Sequence, residues 1–384
     1  MAGRCRTMIG GKKLLLPGFV LPATWLSYAA IVLEILFMIS PFGIYFYSVY
    51  AHPLRFLNQH SSTAWLTTFV MPHFSETHPR WLSAVTGMSN PLLLIGFVIF
   101  AIGFIQIYAA KLITRREVTG GLYRWIRHPQ YLGLAIMGLG AFLLWPRYLV
   151  LLGLVLMLFI YYRLARYEEA QCEERYGTAY REYRARTGMF LPIRALPKVR
   201  WPRSASPAVR FVMNAGLLVG LLATAKIFGS YLQDYSISVV SRLPITDGMV
   251  VTPAGLTAED LSRATALAMS DPEVRLRLSR AGYGAGARLL VYVVPENWKL
   301  PDLPMEVSTG GHYTPRDFPP GRFKVLFTIA RSYDAGLEGD AILKYAYART
   351  PVVLVREVIT ANEITSLETP PAHVRWGDIP TPLF

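Results

Sequence analysis

Charge is scarce in this chain. Asp, Glu, Lys and Arg make up 17% of its 384 residues, whereas 53% are hydrophobic, and ordinary soluble domains carry about 25% charge. A wholly soluble protein is thereby excluded, and an integral membrane protein is the first expectation. Cysteine is almost lacking, with Cys5 and Cys172 alone. Because none follows Cys172, the C-terminal part cannot be stapled by disulfides in any compartment. A signal-peptide cleavage pattern is missing too, since the first apolar run is too long for one and begins after Lys12-Lys13. Internal repeats and low-complexity tracts are absent.

Negative charge is short in two particular places. Residues 1–22 carry four basic and no acidic groups, and residues 111–207 carry 16 basic and 6 acidic ones. These segments account for the formal net charge of +14. The last part, 233–384, has 15 basic and 17 acidic groups and so lacks the electrostatic footprint of a nucleic-acid binder. The basic surplus is a topology signal. By the positive-inside rule the N-terminus, the 111–130 loop and the 163–207 segment face the cytoplasm, and the tail from Gln233 lies opposite, in a periplasmic, extracellular or lumenal space.

Long apolar runs are present at 23–49, 91–110 and 208–231, each near the 20 or so residues that a spanning helix needs. The stretch Tyr131 to Tyr162 is apolar but broken by Trp145-Pro146-Arg147, which predicts two short antiparallel membrane helices, because Pro146 cannot continue a helix but can start one. The expected fold is mainly α: a polytopic bundle of about five transmembrane helices followed by a soluble α+β domain. Its parts are 1–90 (first helix and far-side interfacial loop), 91–207 (core with cytoplasmic segment), 208–232 (fifth helix) and 233–384 (soluble domain). The far-side loop holds Trp65 and Trp81, which suit an interface. The spacing of His52, His60, His73 and His78 matches no ligand pattern, so no metal site is expected. Glu34 falls mid-span, where a carboxylate points to pairing with another helix.

In the tail, Ser270-Asp271-Pro272-Glu273 predicts a helix capped by Ser270 and running to Arg280, and another helix is expected after Thr257. Arg288–Val294, Gly321–Ile329 and Pro351–Ile359 read as strands. No nucleophile or phosphate loop is recognisable there, so the tail is expected to bind a protein or ligand partner.

The chemistry concentrates where the 111–130 loop meets the hairpin. His128 suits a helix cap and Pro129 the first turn, leaving backbone N–H groups open beside Arg127, a set that can hold a carboxylate. Antiparallel hairpin arms bring this end beside Glu168 and Glu169, which can accept from an ammonium or from sugar hydroxyls. Tyr176, Tyr180 and Tyr183 recur at helical spacing in an amphipathic helix expected over Glu168–Arg186, followed by Met189-Phe190-Leu191-Pro192.

Taken together, Gly121, Tyr123, Arg127, His128, Pro129 and Tyr131, then Glu168, Glu169, Tyr176, Gly177, Tyr180, Tyr183, Arg186 and Pro192 form a pattern over residues 91–193. It closely resembles the isoprenylcysteine carboxyl methyltransferase and phospholipid methyltransferase group. The resemblance implies methyl transfer from S-adenosylmethionine to a lipophilic or lipidated acceptor (carboxylate, thiol or amine) arriving from the bilayer. It implies cofactor binding by Tyr123, Arg127, His128, Pro129, Tyr131, Glu168, Glu169 and Tyr180. Arg127, Glu169, Tyr183 and Arg186 are the candidate catalytic residues, with Tyr183 and Arg186 orienting the acceptor. Two alternatives stand beside it. One is a sterol-type membrane reductase using NADPH, whose motif usually reads Arg-His-x-Asn-Tyr where this chain has Pro129-Gln130-Tyr131; the other is a non-catalytic anchor or sensor working through the tail.

Overall fold

The computed structural model describes residues 20–47, 51–73, 77–110, 118–192, 206–303, 318–333, 336–370 and 383–384. The N-terminal part is helical, with α1 (Val20–Tyr47), α2 (Ala51–Asn58), α3 (Arg80–Gly87), α4 (Ser89–Ala109), α5 (Pro129–Leu144), α6 (Tyr148–Arg186) and α7 (Pro207–Val239). Among the described residues three helical runs are long and apolar enough to cross a membrane: Arg80–Ala109, Tyr148–Arg186 and Pro207–Val239. Ile31–Phe46 and Pro129–Leu144 are shorter apolar helices.

Helices α4 and α5 meet almost backbone to backbone. A Cβ added to Gly96 would lie 2.6 Å from the Gly133 carbonyl, and one on Gly133 would lie 2.5 Å from the Phe100 amide. Bare glycines on both faces let the helices approach that closely, a common solution where lipid offers no hydrophobic drive for helix pairing. Helix α1 is held differently. Pro41 interrupts its hydrogen-bond ladder, and the Tyr161 hydroxyl of α6 is inserted at the break, donating to Met38 O at 3.1 Å and accepting from Phe42 N at 3.2 Å. The freed Phe37 carbonyl accepts from Ser40 Oγ at 3.3 Å.

The hairpin turn falls at Trp145-Pro146-Arg147 as expected, but its second arm is not short. It runs on past Tyr162 to Tyr176 before the helical path breaks at Gly177, and a second helical segment continues to Arg186, so the first part of the amphipathic stretch expected over Glu168–Arg186 belongs to the hairpin arm and the rest follows the break. Between Arg163 and Tyr176 neither Pro nor Gly occurs, and Leu, Ala, Arg, Glu and Gln favour helix. The rod bends at Gly177, whose φ of 54° and ψ of −120° lie outside the helical region and suit a residue without Cβ. Arg184 Nη1 thereby reaches Glu173 Oε2 at 2.7 Å.

The loop between α1 and α4 clasps the hairpin turn. Val70 N donates to Pro146 O at 2.7 Å, Tyr148 N to Thr68 O at 3.1 Å, and Gln233 Nε2 of α7 to Phe69 O at 2.8 Å. Arg147 is buried with its guanidinium 4.0 Å from the Phe69 ring centre, and it donates to Thr67 O. His73 stacks on Trp145 at 4.4 Å and His60 bonds to Phe56 O. Among the described residues no group of three or more His, Cys, Asp or Glu gathers as metal ligands would. Glu34 is exposed on α1 and acts electrostatically on Tyr108 of α4.

The tail is one six-stranded mixed sheet in the order β1 (Ser241–Ile245), β2 (Gly248–Thr252), β3 (Arg288–Pro295), β4 (Arg322–Arg331), β5 (Ala348–Val358), β6 (Glu363–Glu368). Neighbours are antiparallel except β2 and β3. That parallel pair is joined through α8 (Ala258–Ser270) and α9 (Pro272–Arg280), and α10 (Asp340–Tyr345) follows β4. The three expected strands and the helix after Thr257 are present, the latter with a capping box between Thr257 and Asp260. The cap of α9 is Asp271, not Ser270. Asp271 accepts from the amides of Glu273 and Val274, while Ser270 ends the preceding helix and bonds back to Leu267 O.

The helical part and the tail share a core. Leu82 of α3 and Ile237 of α7 are buried in the same cluster as Val291, Leu326 and Val353 of the sheet. The expected division at 232/233 falls inside α7, whose Gln233 and Ser236 are buried.

Candidate functional site at the hairpin mouth

The site grows from a local β-like contact. Ahead of α5 the chain makes a 3-10 turn at Gly121–Arg124, and residues 125–128 run alongside 187–189. Gly188 N donates to Trp125 O at 3.2 Å, Arg127 N to Gly188 O at 2.9 Å and His128 N to Met189 O at 3.1 Å. The amides of Arg127 and His128, just ahead of α5, are thus occupied by the segment after α6. Those of Gln130 and Tyr131, in the first turn of α5 behind Pro129, have no intrahelical acceptor.

Arg127 is the bolt of this arrangement. Its Nε donates to Glu169 Oε1 at 2.6 Å, and its Nη1 donates to Arg184 O at 3.1 Å, to Thr187 Oγ1 at 3.3 Å and to Thr187 O. His128 is buried between the two acids, with Nδ1 3.4 Å from Glu168 Oε2 and Nε2 3.7 Å from Glu169 Oε1. Burial alone would push its pKa down; the hydrogen bonds and charges of Glu168 and Glu169 outweigh that and hold it above the ordinary value. The Tyr131 hydroxyl donates to Glu168 Oε1. Its ring lies 5.0 Å from that of Tyr161, so the site is tied directly to the Pro41 break in α1.

The remaining candidates take supporting places. Tyr123 is buried under the mouth, donating to Gln130 Oε1 at 2.9 Å and Gly103 O at 3.2 Å. Tyr183 donates to Tyr123 O at 2.7 Å, and Tyr180 is buried 6.0 Å from the Tyr183 ring. Arg186 is not gathered with them; its side chain is 77% exposed and pairs with Glu182 at 3.5 Å. Arg166, 3.7 Å from Glu169 Oε2, and Phe190, with its ring 6.0 Å from His128, also belong to the mouth. So does Thr187, whose only signal was its place at the end of a helical run.

Arg127, His128, Tyr131, Glu168 and Glu169 therefore converge at one point between α5 and α6. Residues 89–179 match the phospholipid methyltransferase family. This segment takes in α4, α5 and α6 as far as the Gly177 bend, with all five converging residues inside it. α1, the loop between α1 and α4, α7 and the tail lie beyond it. No curated protein and no solved structure matches the chain.

Proposed function

We propose that the chain is an integral membrane methyltransferase that moves a methyl group from S-adenosylmethionine to a lipophilic or membrane-associated acceptor at this mouth. The observation that carries the reading is the convergence of the five residues within the phospholipid methyltransferase segment.

The groups present fit the cofactor. His128 Nε2 is buried 3.7 Å from Glu169 Oε1, and the Glu168 side chain keeps 34% of its surface open. A buried nitrogen, an accessible carboxylate and the first-turn amides of α5 are together what an amino-acid moiety and a ribose call for. When bound, S-adenosylmethionine supplies an electrophilic methyl on a sulfonium. The chain's own contribution is orientation and exclusion of water, which is most of what such a transfer requires. Glu168 accepts from an ammonium or ribose hydroxyl, with Tyr131 fixing its carboxylate, and Tyr180 and Phe190 wall the mouth. Arg127 acts as a positioning residue, since its donors are engaged by Glu169, Arg184 and Thr187. Tyr183 holds the floor through Tyr123, and Arg186 is the outlying candidate for meeting an acceptor.

In this reading α1, α4, α5, α6 and α7 all cross the bilayer, the mouth faces the cytoplasm, and the tail lies opposite and serves a partner or regulatory role. Equilibrium binding of S-adenosylhomocysteine to the purified full chain tests the reading. Saturable binding that NADPH does not displace is expected; absence of binding to folded protein rejects it.

A further inference from the structure

α6 and α7 are antiparallel neighbours, locked together at one end and parted at the other. At the locked end the Tyr148 hydroxyl lies 3.2 Å from both Ser230 Oγ and Gln233 Oε1, and a Cβ on Gly229 would come within 2.8 Å of the Tyr148 ring. Following both helices away from that contact leads to a cleft of about 460 Å³ lined by Arg163 of α6 and by Pro207, Arg210, Phe211 and Asn214 of α7.

The cleft lies at a definite depth. Arg163 is the first charged residue after the apolar run Tyr148–Tyr162, and Arg210 is in the first turn of α7, just ahead of its apolar run. Both guanidinium groups therefore sit where hydrocarbon gives way to headgroups. Phe211 is 74% exposed, so the wall beside the two cations is apolar and turned outward. Below it, the apolar run of α7 is almost bare of protein contacts. Asn214 Nδ2 donates to Arg210 O at 2.5 Å and so braces the first turns of α7, and two guanidinium forks with the positive end of a helix dipole suit a phosphodiester. An open apolar helix face beneath them suits the attached acyl chains.

We propose that the cleft between Arg163 and Arg210 binds one anionic phospholipid, which cements α7 to the end of α6. The cleft's lining shares no residue with the His128–Glu169 mouth, includes a helix outside the phospholipid methyltransferase segment, and the proposal does not depend on the chain's catalysing methyl transfer.

Native mass spectrometry of the full chain in zwitterionic detergent, titrated with phosphatidylglycerol or with phosphatidylcholine of the same acyl chains, reads the site. One phosphatidylglycerol per chain is expected to be retained in preference to phosphatidylcholine. The Arg163→Gln/Arg210→Gln double variant should hold it about 30-fold more weakly, a factor of about five for each arginine at a membrane surface. The Arg163→Lys/Arg210→Lys variant should recover part of the loss, and undiminished binding of S-adenosylhomocysteine by both variants would show that the mouth is intact. Equal retention of the two lipids, or equal phosphatidylglycerol binding by wild type and the glutamine variant, overturns the proposal. So does displacement of the lipid by inorganic phosphate at millimolar concentration, which would make this a site for free anions.

Discussion

The guanidinium of Arg127 and the carboxylate of Glu169 meet at 2.6 Å across the hairpin mouth, with side chains only 10% and 3% exposed. Removing one member of such a pair leaves the other charge buried and uncompensated. Glu169→Gln keeps shape and hydrogen bonding but not charge, and His128→Ala removes the ring between the acids. Each is expected to weaken S-adenosylmethionine binding by about 1–3 kcal/mol, the usual cost of a lost buried charge-assisted contact. Isothermal titration calorimetry on variants with an unchanged melting profile checks this. Unaltered affinity in both would assign the pair to structure alone.

Stability should depend on pH through His128. Its folded pKa is held above the ordinary 6.5 by Glu168 and Glu169, which outweigh the effect of burial. A group raised in this way contributes most when protonated in both states, so its stabilisation is complete below about pH 6.5 and fades as pH climbs through the folded value. Thermal melts in detergent between pH 6 and 9 should show wild type losing stability over that range relative to His128→Gln. Parallel curves would contradict the charge assignment.

The α4–α5 contact predicts a steep cost for one methyl group. Gly96→Ala would place Cβ 2.6 Å from both the Gly133 carbonyl and the Met137 amide, so the helices must separate. A loss of about 1–3 kcal/mol is expected for overpacking of this kind. Gly216→Ala on α7 meets nothing within 4 Å and should be neutral by the same unfolding assay.

Leu82, in the loop between the first two apolar helices, is 1% exposed and belongs to the core of the tail. Leu82→Ala should therefore loosen the sheet domain by about 2–5 kcal/mol, as buried leucine truncations do. Limited proteolysis resolved by antibodies to the tail would detect it. A tail that stayed equally resistant would show it to be independent of the loop.

Charge distribution predicts that the 163–207 segment and the 233–384 tail face opposite sides. Protease added to sealed, oriented vesicles should cut one and spare the other. Cleavage of both from the same side would overturn the topology.

Much of this architecture was legible because apolar length and charge placement act locally. The hairpin turn at Pro146, the helix after Thr257 and three of the strands followed from such signals. Elements whose cause lies elsewhere were not readable. β1 carries Pro244, which argues against a strand but is tolerated on the sheet edge, where the chain turns through Thr246-Asp247 with Asp247 at φ 59°. β6 is polar because it is the opposite edge, and β2 is a five-residue run too short to stand out. At the mouth, motif spacing brought Arg127, His128, Tyr131, Glu168 and Glu169 together, whereas Arg186 followed the same helical spacing to an exposed face. The return of Thr187–Met189 onto Arg127 depends on the backbone at Gly177, which spacing does not encode.

The straight course of α6 from Tyr148 to Tyr176 gives the bilayer itself a say in the proposed methyl transfer. At about 1.5 Å per residue this stretch runs beyond a hydrocarbon layer of about 30 Å, and the turn at Arg147 is clasped by the loop between α1 and α4. The acid pair is thus carried at a set height, like a mark on a gauge rod. Where lipids are longer, the water surface rises along the rod toward that mark; where they are shorter, it recedes. Reconstitution in phosphatidylcholines of graded chain length would read this as a rate optimum in thickness, located where an acceptor's headgroup floats level with Glu168.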